Sequence, residues 1–197
     1  MSAPFSICVF CGARPGTSPR FEAAAKELGE TISAQGWRLV YGAGDQGIMG
    51  AVANAVRERS GRALGVIPEH LVTAARMRQP GTDIVVTETM HERKKVMYVN
   101  SDAFVILPGG AGTLDEFFEI LTWKQLGRHD KPIVIINIDG YWDALGALLQ
   151  TVQEQGFDSV EDIHRLVFED DERDFRIVSD ILKALGFSAV RLLTKYP

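Results

Sequence analysis

A doubly wound α/β fold, one parallel sheet flanked by helices, is what this sequence predicts, and three observations predict it. Short apolar runs alternate with longer amphipathic stretches, the pattern of strands joined by crossover helices. Runs such as AFVILP and PIVIIN are apolar throughout, as expected of strands buried on both faces. Glycine-rich loops follow three of the candidate strands, at the edge where open parallel sheets receive their ligands.

The elements follow in order. A first strand at Ser6–Phe10 leads to a helix over 18–35, which opens on Ser18-Pro19, a cap followed by proline, and closes near Gly36. A strand at Arg38–Tyr41 precedes a helix over 48–60 that ends before Gly61. A third strand over 63–67 runs into the segment 68–82, which holds Arg76, Arg78, Pro80 and Gly81 without a clear period. That segment reads as a loop with a short helix. Strand 83–87, helix 91–100, strand 103–107 and helix 113–126 come next, the last stopped by Gly127. Strand 132–136 and a helix over 141–155 ending at Gly156 follow. A seventh strand candidate is Leu166–Glu169, and a last helix covers 173–185, before Gly186. With no repeat or linker in view, 1–197 reads as one domain with right-handed crossovers.

Composition narrows the function. The 197 residues carry 26 acidic and 21 basic side chains, a formal net charge of −5, which disfavours a dedicated nucleic-acid binder. Hydrophobic residues make up 46% and charged residues 24%, with 19 glycines and 8 prolines, ordinary globular usage. No apolar run is long enough to span a membrane. The opening MSAPFSICVFCG lacks a basic n-region and reads as a first strand rather than a signal peptide. A cytoplasmic protein is expected. Cys8 and Cys11 form the chain's C-x-x-C. Lying in a strand three residues apart, they face opposite sides of the sheet, so neither a redox nor a metal role is expected.

The three glycine loops differ in what they can do. The first reads Cys11-Gly12-Ala13-Arg14-Pro15-Gly16. The second, Gly42-Ala43-Gly44-Asp45-Gln46-Gly47, matches G-x-G-x-x-G but follows the second strand, where a dinucleotide fold places it after the first. Glycines needed only for tight turns explain it equally well. The third, Pro108-Gly109-Gly110-Ala111-Gly112-Thr113, runs directly into a helix. Amides at such a helix start favour an anion, and phosphate is the natural occupant. No G-K-[ST] follows, so ATP hydrolysis is not implied.

Asp115 and Glu116 stand just beyond. Thr113-Leu114-Asp115-Glu116 fits a T-x-x-E capping box, yet carboxylates beside a phosphate repel it unless they act in the chemistry. The basic cluster Met90-His91-Glu92-Arg93-Lys94-Lys95 starts at the same sheet edge. It is either a phosphate or transition-state contact or a solvated helix face with Glu92 paired to a neighbouring base.

Met90-His91-Glu92-Arg93-Lys94 (M-H-x-R-K) and the P-G-G-x-G-T-x-x-E run from Pro108 to Glu116 together resemble the LOG ("lonely guy") family. These enzymes are cytokinin riboside 5′-monophosphate phosphoribohydrolases, related to AMP nucleosidase-type enzymes. Further likeness lies in Phe10-Cys11-Gly12, Tyr41-Gly42, Ile48-Met49-Gly50, Gly65-Val66-Ile67-Pro68, the LTWKQLG run from Leu121 to Gly127, Lys131-Pro132 and Asp139-Gly140-Tyr141. The resemblance implies a Rossmann-like domain that cleaves the N-glycosidic bond of a purine nucleoside 5′-monophosphate, releasing base and ribose 5-phosphate. It implies Arg93 and Glu116 as the catalytic pair. Lys94, Gly109, Gly110, Ala111, Gly112, Thr113, Leu114, Asp115 and Thr122, with Gly12, Gly44 and Met49, would line the substrate site. A homodimer with sites near the interface is implied too, with no metal and no cofactor. Members have also been described as lysine decarboxylases, but no pyridoxal-phosphate site is evident in this sequence.

Departures from the family pattern bear on base specificity. Ala13-Arg14 stand where serines are common, Gly42-Ala43-Gly44 replaces three glycines, and Ala75, within Ala74-Ala75-Arg76-Met77-Arg78, stands where plant members carry an acid. The alternative function is a non-catalytic nucleotide or molybdenum-cofactor carrier on the same fold, which has no need of the Arg93 and Glu116 pair.

Overall fold

The computed structural model describes residues 4–73, 81–158 and 166–169. In chain order the elements are β1 (Ser6–Phe10), α1 (Pro19–Ala34), β2 (Arg38–Tyr41), α2 (Gly47–Glu58), β3 (Arg62–Pro68), β4 (Thr82–Thr87), α3 (Met90–Val99), β5 (Ala103–Ile106), α4 (Ala111–Gln125), β6 (Ile133–Ile136), α5 (Asp143–Glu154) and β7 (Leu166–Glu169). Short 3-10 turns occupy Glu69–Leu71 and Ile138–Gly140. The expected helix over 173–185, and the departure at Ala75, lie outside the described residues.

All seven strands join one sheet in the order β4-β3-β2-β1-β5-β6-β7, and every pairing is parallel. The chain winds outward from β1 to β4, returns to lay β5 on the other side of β1, and winds outward again. The doubly wound expectation therefore holds. The winding reverses between β1 and β5, which pair with Val9 opposite Val105 and Phe10 opposite Ile106. A crevice opens beyond the carboxyl ends of two such strands.

Alternate residues of the strands feed two cores. Ile7, Val9, Leu39, Tyr41 and Val105 pack with Leu28 and Ile32 of α1 and Val52 and Val56 of α2. Cys8, Phe10, Phe104, Ile106 and Ile135 pack with Met97 of α3, Phe117 and Leu121 of α4 and Leu145 of α5. Each such large apolar side chain contributes roughly 1.5–3 kcal/mol when buried. The two cysteines part as their spacing requires, Cys8 into one core and Cys11 into the other. Both are free thiols, and burial raises the pKa of each, so they stay protonated and unreactive.

Local signals set most boundaries. Ser18 caps α1 by accepting from the Arg20 amide, with Pro19 in the first turn, and Gly36 at φ 70° turns the chain away. Two helix starts differ from expectation. Helix α4 begins at Ala111, with Gly110 as its N-cap and no capping side chain. Thr113 is thus already inside the helix, and its capping box with Glu116 does not form. The box forms instead on α3, where Thr89 accepts from the Glu92 amide at 3.1 Å and Glu92 accepts from the Thr89 amide at 3.2 Å. Helix α5 begins at Asp143 because Asp139 (φ 55°) and Gly140 (φ 69°) interpose a turn. Among the described residues, no helix is long and apolar enough to cross a membrane.

Candidate active site

Capping places the first turn of α3 at the carboxyl ends of β3 and β4 and points Arg93 inward. Arg93 is 6% exposed, so the solvated-face reading of the basic cluster does not apply to it. Its Nε donates to the Val66 carbonyl at 3.1 Å and its Nη1 donates to Glu116 Oε1 at 2.6 Å. The guanidinium rests against Gly42, where an added Cβ would lie 1.9 Å from Nη2. Any side chain at position 42 would take the guanidinium's place.

Glu116, on the second turn of α4, is 7% exposed. Burial pushes its carboxyl above the ordinary glutamate range; the charge and hydrogen bond of Arg93 oppose that shift, and Asp115 reinforces it. A buried ion pair is a poor route to stability, because desolvation costs several kcal/mol per ion. A carboxylate raised by burial beside a fixed cation makes the pair a candidate functional site.

Lys94, also buried, donates to Asp115 Oδ2 at 3.0 Å and lies 3.1 Å from Glu119 Oε2. Burial works against its charge, but the hydrogen bonds it donates to the two carboxylates prevail and hold its pKa above the ordinary lysine value. Asp115 and Glu119 are one helical turn apart and share a face of α4. Thus each acid near the glycine loop has a basic partner on α3, and the repulsion of a phosphate by bare carboxylates is relieved. Lys94 thus ties α3 to α4.

The glycine loop lies across the crevice. The Gly12 amide donates to the Pro108 carbonyl at 2.9 Å. A Cβ on Gly109 would meet Thr113 Oγ1 at 2.1 Å and the Gly12 nitrogen at 2.9 Å, so Thr113 is folded beneath the loop and is buried. A Cβ on Gly110 or Gly112 would meet nothing within 4 Å. The start of α4 therefore faces open space with no side chain capping it, the geometry that receives an anion. Ala111 is exposed there, while Leu114 packs against the core.

The second loop is built for packing. The Met49 amide, at the start of α2, donates to the Gly12 carbonyl at 3.1 Å, and the Gly44 amide approaches Met49 Sδ at 3.2 Å. That helix start is occupied by protein, which disfavours a dinucleotide there. Gly12, Gly44 and Met49 adjoin the pair through Gly42 and Gly109. Thr122 stands apart, about 9 Å along α4 from Glu116 and about 120° around it. Two residues that sequence reasoning left without a role also belong here. Gly42 clears space for Arg93, and Tyr141 donates its hydroxyl to the Gly109 carbonyl at 2.6 Å. The Tyr41-Gly42 match, with Gly42 opening the second glycine loop, and the Asp139-Gly140-Tyr141 match pointed towards them.

Residues 49–177 match the family model described as "Possible lysine decarboxylase". The chain is 42% identical over 174 residues to the cytokinin riboside 5′-monophosphate phosphoribohydrolase of Mycobacterium tuberculosis (strain ATCC 25618 / H37Rv), covering 88% of this chain and 92% of the relative. It is 43% identical over 152 residues to a probable cytokinin riboside 5′-monophosphate phosphoribohydrolase of Arabidopsis thaliana, covering 77% and 76%. Among solved structures, the molybdenum cofactor binding protein of Rippkaea orientalis superposes with a TM-score of 0.68 at 18% identity, covering 94% of this chain and 99% of that one. The molybdenum cofactor carrier protein of Chlamydomonas reinhardtii gives 0.68 at 20%, covering 94% and 100%. At such identities the likeness speaks for the fold alone. The sequence matches go further: the chain belongs to the family whose model is described as "Possible lysine decarboxylase", that of the cytokinin riboside 5′-monophosphate phosphoribohydrolases.

Proposed function

We propose that the protein hydrolyses the N-glycosidic bond of a purine nucleoside 5′-monophosphate, of the AMP or cytokinin type, to free base and ribose 5-phosphate. The observation that carries this reading is the buried pair Arg93–Glu116, 2.6 Å apart, beside the uncapped start of α4. The 5′-phosphate would sit on the amides of Gly110, Ala111, Gly112 and Thr113. As the glycosidic bond lengthens, the base leaves with the electron pair and takes up a proton from solvent, and C1′ becomes cationic. Ionised Glu116 stabilises that cation and accepts the proton of the water whose oxygen bonds to C1′. Arg93 holds Glu116 in place and offers Nη2 to the substrate. Lys94 and Asp115 fix α3 against α4 at the edge of the site.

The reading takes the chain as one nucleotide-binding domain, cytoplasmic, with no resident cofactor or metal and no nucleic-acid partner. It includes a homodimer. Phe118 and Thr122 of α4 and Leu126, its C-cap, recur at four-residue intervals, and Phe118 and Leu126 are exposed. A second copy covering that face would place Thr122 at the interface. A carrier on the same fold would have no use for the buried pair.

A comparison of nucleotide with nucleoside tests the phosphate seat. Charge-assisted hydrogen bonds contribute about 1.5–3 kcal/mol each, so two or three separate the substrates by orders of magnitude. AMP-type nucleotides should release free base while adenosine stays nearly inert. Equal turnover of both would remove the phosphate from the α4 loop.

A further inference from the structure

Tyr141 has no part in the cores, yet it is held with care. The turn before it contains two consecutive left-handed residues, Asp139 (φ 55°) and Gly140 (φ 69°), a conformation costly for a residue other than glycine and often kept for function. Asp139 anchors that turn to the start of α1, accepting from the Ser18 hydroxyl at 3.2 Å and from Arg20. The Tyr141 ring stands edge-on to Phe21 at 5.4 Å and to Trp142 at 4.8 Å. It remains 42% exposed, so core packing does not account for its placement. Its hydroxyl donates to the Gly109 carbonyl, in the loop after the neighbouring strand β5, at 2.6 Å.

That carbonyl belongs to a peptide between two glycines, the linkage with the least steric bias about its flanking dihedrals. In a trans peptide the C=O and the N–H point in opposite directions. A hydrogen bond that holds the Gly109 carbonyl towards Tyr141 therefore fixes the Gly110 N–H on the opposite side. Gly110 is the N-cap of α4, and its N–H adjoins the amides that open that helix.

We propose that Tyr141 is a positioning residue that latches the Gly109–Gly110 peptide and so presets the anion seat at the start of α4 for the phosphate of the substrate. The proposal rests on the phosphate seat of the proposed function and assigns Tyr141 no contact with the reacting atoms. Preorganisation of this kind strengthens binding by removing alternatives the free loop would otherwise populate.

The test is Tyr141→Phe, which removes the hydroxyl and keeps the ring against Phe21 and Trp142. Binding of ribose 5-phosphate and of adenosine is titrated on both proteins, with a thermal melt alongside. Loss of one hydrogen bond should weaken ribose 5-phosphate about 10-fold, leave adenosine binding unchanged and raise KM for the nucleotide more than it lowers kcat. Unchanged ribose 5-phosphate affinity would overturn the latch, and so would an equal loss for both ligands, which marks a general disturbance of the site. The titrations need no turnover, so the hydrolase reading is judged separately by base release from the unaltered protein. Absence of ribose 5-phosphate binding in that protein removes the anion seat, and the latch with it.

Discussion

Glu116→Gln is expected to give a folded protein that still binds nucleotide but turns it over about 100-fold more slowly or worse, the scale of losing one electrostatic stabiliser. The side-chain oxygen remains to accept from Arg93 Nη1, so the shape of the pair survives. The charge that meets a cationic C1′ does not. Some stability is lost as well, because Arg93 keeps its buried charge without a counter-ion; removing one member of such a pair costs about 3 kcal/mol or more, and the retained acceptor moderates this. Burial raises the carboxyl of Glu116, and its ionised form is the active one. Activity of the unaltered protein should therefore fall as pH drops through a midpoint above the ordinary glutamate value. The residual activity of the glutamine variant should lack that acid limb. Melts, nucleotide titrations and a pH series of ribose 5-phosphate release on the two proteins check each part. A variant as active as the original would reduce Glu116 to a counter-ion.

Arg93→Lys should be nearly as damaging although the charge is kept. The guanidinium spends its nitrogens in three directions: Nε on the Val66 carbonyl, Nη1 on Glu116, and Nη2 against Gly42. One ammonium cannot reproduce a rigid fork. Leaving the Val66 carbonyl or Glu116 without its donor costs about 1–3 kcal/mol, and loss of the positioned Nη2 should lower turnover about 100-fold. Gly42→Ala reaches the same group by another route. The new methyl would displace Nη2 while Gly42 itself needs no left-handed backbone, so activity should fall with a smaller loss in melting temperature. Near-normal kcat/KM in both variants would make Arg93 a structural ion-pair partner only.

What could be read from the sequence followed from local rules. Continuous apolar runs marked the central strands β1, β5 and β6 within a residue or so, because burial on both faces leaves no room for polar positions. Gly36, Gly127 and Gly156 ended helices where a left-handed turn is needed. The site was harder where a tertiary partner overrides a local signal. Two T-x-x-E boxes stand near the starts of α3 and α4, and of these two only Thr89–Glu92 forms. Glu116 is drawn instead to Arg93, which lies on another helix. The resemblance implied Lys94 as a substrate contact; its partners Asp115 and Glu119 come from α4, and nothing in the local sequence pairs those segments. The glycines after β2 matched a cofactor-loop pattern that tight turns explain equally well, whereas Gly42 makes room for an arginine 51 positions further along the chain. Long-range steric need leaves no local pattern.

The most direct measurement of the central claim is a product balance on the pure protein with an AMP-type nucleotide in oxygen-18 water. If the pair of Arg93 and Glu116 drives hydrolysis, free base and ribose 5-phosphate accumulate in equal amounts, with label entering the C1 hydroxyl formed by the attacking water. Recovery of the nucleotide bound but intact, with neither product formed, would contradict the account and leave the protein as a carrier.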